Sequence, residues 1–258
     1  MGFAELGTVR LHYVEPGEGP LVVLLHGFPE FWYGWRHQIA PLAEAGFRVV
    51  APDLRGYNLS SKPRGRAAYS LPELARDVAE LIAERGAARA CIAGHDWGGA
   101  VAWATAMHHP EVVERLAILN APHPRRFKEA VFRPRQAVRS WYMGLFQLPW
   151  LPEFLGPKIF PQKDDPAYRE AWAQPGALTA MFNYYRAMTP KTRITRVDAP
   201  TRVIWGRNDP YLELSTAEPP RDEVPNLERV IVLDTSHWVQ HEATEEVSRL
   251  LAEFFSLP

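Results

Sequence analysis

Apolar residues along this chain follow two rhythms. One is the short continuous run: Leu21-Val22-Val23-Leu24-Leu25, Arg48-Val49-Val50-Ala51-Pro52-Asp53, Leu116-Ala117-Ile118-Leu119-Asn120, Thr201-Arg202-Val203-Ile204-Trp205, and Leu227 to Leu233. Each predicts a strand, and the uninterrupted Leu21–Leu25 run reads as one buried on both faces. The other is helical spacing, seen from Trp35 to Ala45, through Leu74, Val78, Leu81 and Ile82, after Gly99, and from Glu245 to Phe255. Ser70-Leu71-Pro72-Glu73 reads as a capping box for the second of these. Weak alternation around Val9, Leu11 and Tyr13 predicts an opening hairpin, followed by a turn at Pro16-Gly17-Glu18-Gly19-Pro20. Strand alternating with helix predicts an α/β fold, a mostly parallel sheet flanked by helices on both faces.

The rhythm breaks once. From His123 to Pro190 no strand pattern occurs, and Arg, Pro and aromatic residues are frequent. This predicts a short helical cap, 123–190, inserted into a core domain made of 1–122 and 191–258.

A chain of 258 residues, 47% hydrophobic, has room for one substantial core. Its net charge of −1, with both signs interspersed, gives no footprint for nucleic acid. Cys91 is the single cysteine, so it has no internal disulfide partner and reads as a small core residue. No apolar run approaches the ~20 residues of a bilayer span, and the first residues carry charges rather than a secretory signal. The expectation is a soluble cytoplasmic protein, with a homodimer left open. His108 and His109 are adjacent, so they do not share a helix face, and a metal is not expected. No cofactor is expected either.

Candidate chemistry centres on Ala90-Cys91-Ile92-Ala93-Gly94-His95-Asp96-Trp97-Gly98-Gly99. A strand that turns sharply into a helix crowds its own backbone, so the flanking positions must be small. This is the nucleophile elbow with a carboxylate in place of the usual hydroxyl. A carboxylate is ionised without help at neutral pH, since free Asp titrates near ~3.9. Attacking a carbonyl it would form only an anhydride. Attacking a saturated carbon with a leaving group it forms an ester, which water must then hydrolyse. Epoxides and alkyl halides are therefore the expected substrates.

Two more loops leave the ends of predicted strands. Gly206-Arg207-Asn208-Asp209-Pro210 supplies Asp209, and Asp234-Thr235-Ser236-His237-Trp238 supplies His237. A base that activates water must have its other ring nitrogen oriented, and Asp209 is the natural orienter. The loop His26-Gly27-Phe28-Pro29 follows the first buried strand. The N–H groups of Phe28 and Trp97 are candidate oxyanion-hole donors. His26, beside the Gly turn, is expected to brace its loop by hydrogen bonding.

In His26-Gly27-Phe28-Pro29, Gly94-His95-Asp96-Trp97-Gly98-Gly99 and His237-Trp238 the chain resembles the α/β-hydrolase superfamily, and within it the soluble epoxide hydrolases. The resemblance implies the α/β-hydrolase fold, with Asp96 as nucleophile, His237 as base, Asp209 as its partner, and a small apolar epoxide as substrate. It also implies two cap tyrosines that protonate the epoxide oxygen. Asn183-Tyr184-Tyr185-Arg186 resembles the segment bearing one, selecting Tyr185, and Trp141-Tyr142-Met143-Gly144 resembles the site of the other, Tyr142. His26, Pro29, Trp141 and Trp238 are expected around the substrate pocket. Asn58 and Ser236 stand where the family usually has glycine.

A haloalkane or haloacid dehalogenase is the alternative, sharing the Asp-His-Asp machinery. Haloalkane dehalogenases resemble His-Gly-Asn-Pro at the first loop, where this chain has Phe28. Fluoroacetate dehalogenases keep Phe there but show Arg after the nucleophile, where Trp97 stands. A non-catalytic ligand-binding relative would be expected to carry a damaged triad, whereas all three residues are present.

Overall fold

The computed structural model describes residues 1–188 and 194–257. Its strands are β1 (Gly2–Glu5), β2 (Arg10–Val14), β3 (Leu21–Leu25), β4 (Arg48–Pro52), β5 (Ala90–His95), β6 (Val113–Leu119), β7 (Thr201–Gly206) and β8 (Leu227–Leu233). They form one sheet in the order β1-β2-β4-β3-β5-β6-β7-β8. The opening hairpin pairs antiparallel, as does β2 with β4, and every later pairing is parallel. Every residue of β3, β5 and β7 is buried, as continuous apolar runs require. The edge strand β8 is only partly covered and places Glu228 and Arg229 outward.

Helices α1 (Arg36–Glu44), α2 (Leu71–Glu84), α3 (Trp97–His108), α10 (Val239–Glu242) and α11 (Thr244–Phe255) flank this sheet. α2 buries Leu74, Val78, Leu81 and Ile82 on one stripe, whereas α3 is buried nearly all round. The capping box at Ser70 does not form. The Ser70 side chain makes no cap bond, and Glu73 is drawn instead to the guanidinium of Arg76. An ion pair three residues along the same helix thus outcompetes the reciprocal cap.

Among the described residues six helices lie between β6 and β7, where the cap was expected: α4 (Pro124–Ala130), α5 (Pro134–Arg139), α6 (Trp141–Leu145), α7 (Leu151–Ile159), α8 (Pro166–Ala173) and α9 (Ala177–Arg186). The expected cap boundary at 190/191 lies outside the described residues. Phe28 in the β3 loop is the pin beneath these helices. Its ring meets Phe146, Phe160, Phe182 and Tyr185 at centroid distances of 5.1–5.6 Å. Polar ties add direction: Tyr184 donates to the Arg55 carbonyl at 2.7 Å and Trp172 Nε1 to that of Pro29 at 2.7 Å. No helix among the described residues is long and apolar enough to cross a membrane.

Candidate active site

Asp96 sits between β5 and α3 at φ 50°, ψ −119°, a conformation that only crowding on all sides sustains. Glycine makes the crowding tolerable. A Cβ on Gly94 would lie 2.3 Å from the Gly98 carbonyl oxygen, and one on Gly98 would lie 2.1 Å from that of Leu25. We expect Gly98→Ala to cost about 1–3 kcal/mol, the range for overpacking a core. A thermal melt reads this directly, and an unchanged melting temperature would contradict it.

The Phe28 N–H donates to Asp96 Oδ1 at 2.8 Å. Trp97 opens α3, so its N–H is one of those a helix start leaves free, on the positive end of the dipole. Across the carboxylate, His237 Nε2 stands 3.5 Å from Asp96 Oδ2. His237 Nδ1 lies 2.7 Å from Asp209 Oδ2. Asp96, His237 and Asp209 thus converge from three separate loops at the C-terminal edge of the sheet.

Asp209 is 2% exposed yet fully partnered. Its Oδ1 accepts the N–H groups of Tyr211 and Leu212 at 2.7 and 2.9 Å. Its Oδ2 accepts from Asn120 Nδ2 at 2.6 Å as well as meeting His237. Burial alone would raise its pKa, but the His237 charge and these donors hold it below the usual carboxylate value. Burial likewise pulls the His237 imidazole down, and Asp209 and Asp96 overcome that, pushing it up to about 10. At neutral pH this favours an imidazolium between the Asp96 and Asp209 side chains.

This makes stability depend on pH. The stabilisation His237 draws from its partners is whole below its ordinary pKa of 6.5 and is lost as pH rises through about 10. The gap in melting temperature between the native chain and His237→Gln is therefore expected to narrow between pH 7 and pH 10. A constant gap would mean the imidazole is neutral at rest.

A cavity of about 420 Å³ opens over this edge, lined by Asp96, Trp97, Tyr142 and Tyr185 together with apolar residues such as Phe127, Met143 and Leu212. Burial raises the pKa of both tyrosines, and the Asp96 charge raises it further. Both therefore hold their protons. Among the described residues no cluster of potential metal ligands occurs.

Four residues expected at the pocket stand elsewhere. His26 is buried beneath the loop, where Nε2 accepts the Leu54 N–H at 3.0 Å and Nδ1 lies 3.0 Å from the Gly27 carbonyl oxygen. Pro29, buried too, accepts from Trp172. Trp141 is 67% exposed, on the outer side of its helix. Trp238 packs behind His237 and His95 at centroid distances of 5.1 and 5.5 Å. None of them lines the cavity over Asp96.

Two residues that sequence reasoning passed over shape the site. Asn120, at φ 42° just after β6, bonds Asp209 with one end and the Gly206 N–H with the other, at 2.9 Å. An Asn closing a buried strand was the available signal, because Asn tolerates that conformation. Glu30 is buried among Tyr168, Gln240 and His241 at 2.8, 3.0 and 2.6 Å. His95 Nδ1 lies 3.5 Å from it, and Nε2 of the same ring lies 2.9 Å from the His237 carbonyl oxygen. At the unusual positions the chain adapts locally. Asn58 takes φ 37° and donates to Asp53 at 2.9 Å, and the Ser236 N–H donates to Glu242 at 2.8 Å.

Comparison with known proteins agrees with this architecture. The pattern of the alpha/beta hydrolase family matches residues 22–250. The AB hydrolase superfamily protein YfhM of Bacillus subtilis is 42% identical over 98% of this chain and 96% of its own. Human epoxide hydrolase 4 is 37% identical over 95% of this chain and 75% of its own. A crystal structure of Bacillus megaterium epoxide hydrolase with an inhibitor superposes at a TM-score of 0.89, with 30% identity, covering 99% of this chain and 100% of that one. The chain belongs to the alpha/beta hydrolase family, and within it is similar to epoxide hydrolases.

Proposed function

We propose that this protein hydrolyses apolar epoxides to vicinal diols through an ester on Asp96. The observation that carries this reading is the presence of two tyrosines, Tyr142 and Tyr185, on the wall of the cavity that holds Asp96. An opened epoxide leaves an alkoxide, which needs a proton. A departing halide needs none, and Phe28 offers no side-chain donor to hold one.

Asp96 attacks an epoxide carbon, the C–O bond breaks, and a tyrosine hydroxyl gives its proton to the oxygen. Forming the ester erases the Asp96 charge, one of the two anions that hold the His237 proton. The imidazolium then loses affinity for its proton, which passes to the tyrosinate. His237 is now neutral, oriented by Asp209, and able to deprotonate water for attack on the ester carbonyl. The Phe28 and Trp97 N–H groups receive the oxyanion that forms. As that intermediate collapses, the C–O bond to the product breaks and the remaining proton of the added hydroxyl passes to the leaving oxygen, so the diol departs and leaves the Asp96 carboxylate beside an imidazolium.

The test is product analysis with an aryl epoxide and a 1-haloalkane, offered separately to the native chain and to Asp96→Ala. Diol from the epoxide alone, lost in the variant, is the expected result. Halide release without diol would make the protein a dehalogenase, and diol from Asp96→Ala would move the nucleophile elsewhere.

A further inference from the structure

Exposed apolar side chains concentrate in one stretch of the cap, 132–159, and the catalytic cycle assigns none of them a role. Of thirteen exposed large hydrophobic residues among those described, seven fall between Phe132 and Ile159. Four are aromatic: Phe132, Trp141, Trp150 and Phe154 are 87%, 67%, 75% and 64% exposed. Isolated exposed apolar residues are ordinary, but a concentration of this kind marks a docking surface. Trp150 adds a second sign. It caps α7 at φ 50°, in left-handed backbone that a bulky side chain rarely occupies, and holds its ring out in water.

Charge identifies the occupant. Between His123 and Ile159 seven Arg or Lys accompany only Glu129 and Glu153, on a chain whose net charge is −1. Both acids are already paired, Glu129 with Arg125 and Glu153 with Arg186. Lys128, Arg133, Arg135 and Lys158 are exposed and belong to no ion pair among the described residues. A second copy meeting this face about a two-fold axis would set cation against cation. An anionic surface with an apolar interior suits both features. Aromatic rings settle at the headgroup level of a bilayer, and basic side chains beside them meet lipid phosphates.

We propose that the cap surface from Phe132 to Ile159 docks on an anionic lipid bilayer, its aromatic rings entering the headgroup layer and its cations meeting the phosphates. Lys128, Phe132 and Met188 are exposed and also line the cavity over Asp96, so the cavity mouth opens beside the docked face. If the epoxide reading holds, apolar substrate dissolved in the membrane enters without crossing water. The docking itself does not depend on that reading.

Sedimentation of the full chain with vesicles tests it. The probes are phosphatidylcholine alone and phosphatidylcholine mixed equally with phosphatidylglycerol. The native chain is expected to bind the mixed vesicles, to bind less as salt rises, and to ignore the neutral ones. Two double variants, Trp150→Ser with Phe154→Ser and Arg133→Glu with Arg135→Glu, should each lose about tenfold or more in partitioning. Serine suits a helix cap, and all four side chains lie outside the catalytic machinery, so melting temperature and turnover of a water-soluble aryl epoxide should be retained. No binding to the mixed vesicles, or equal binding by the variants, overturns the proposal. So does a dimer that the serine variant dissociates in the absence of lipid, which would assign the face to a second copy. A chain that binds vesicles but never forms diol would keep the docking and remove the epoxide reading.

Discussion

Incubated with an aryl epoxide, the His237→Gln protein is expected to gain the mass of one whole epoxide and to keep it. Glutamine has no basic nitrogen for water, so alkylation proceeds and hydrolysis stops. The geometry makes the experiment clean. His237 Nε2 lies 3.5 Å from Asp96 Oδ2, while Asp96 Oδ1 is held separately by the Phe28 N–H. Removing the imidazole therefore leaves the nucleophile aimed. Steady-state turnover should fall by about 10²–10⁴, the usual value of a general base. Intact mass spectrometry reads the adduct, and peptide mapping places it on Asp96. An unmodified protein with low turnover would mean that the imidazolium is needed for alkylation too, and would assign it a role in the first step.

The second large effect belongs to the tyrosines. Replacing both, as Tyr142→Phe with Tyr185→Phe, is expected to slow single-turnover alkylation by about 10²–10⁴ and to leave hydrolysis of a preformed ester nearly unchanged. Their ring centroids are 6.1 Å apart over the same cavity, so either hydroxyl can serve when the other is lost. Single variants should therefore lose much less than the double. Hydrolysis of the ester, which needs no proton from a tyrosine, is the internal control. Equal slowing of alkylation and of ester hydrolysis would reduce the tyrosines to packing residues around Asp96.

Phe28 joins two parts of the molecule that sequence alone kept separate. Its N–H donates to Asp96, and its ring packs under the helices between β6 and β7 through Phe146, Phe160, Phe182 and Tyr185. A shift of those helices therefore disturbs the Phe28 N–H and Tyr185 together. The Glu30 cluster ties the same loop to Tyr168 of the cap on one side and, through His95, to the His237 carbonyl on the other. Breaking a buried charge cluster of this kind leaves an uncompensated group.

The strands, the elbow and the break at the cap were legible because each depends on neighbours along the chain. A continuous apolar run can be satisfied only by burial on both faces, and β3, buried throughout, spans the residues that its run marked. Gly94 and Gly98 announce the elbow because the crowding they relieve is local. The chain order of Asp96, Asp209 and His237 was legible too, since each follows a predicted strand. What tertiary structure alone decided is which groups meet across distance. Ser70 and Glu73 matched a cap pattern, but Arg76 competed for the carboxylate. Trp141 and Tyr142 are adjacent, and only packing against Phe146 and Tyr185 turns Tyr142 inward while Trp141 faces water. Asn120 reaches Asp209 across 89 residues, and Glu30 reaches His241 across 211. Short-range sterics leave their mark in the residues next to them. Long-range hydrogen bonds leave none, because either partner by itself is an ordinary polar residue in a loop.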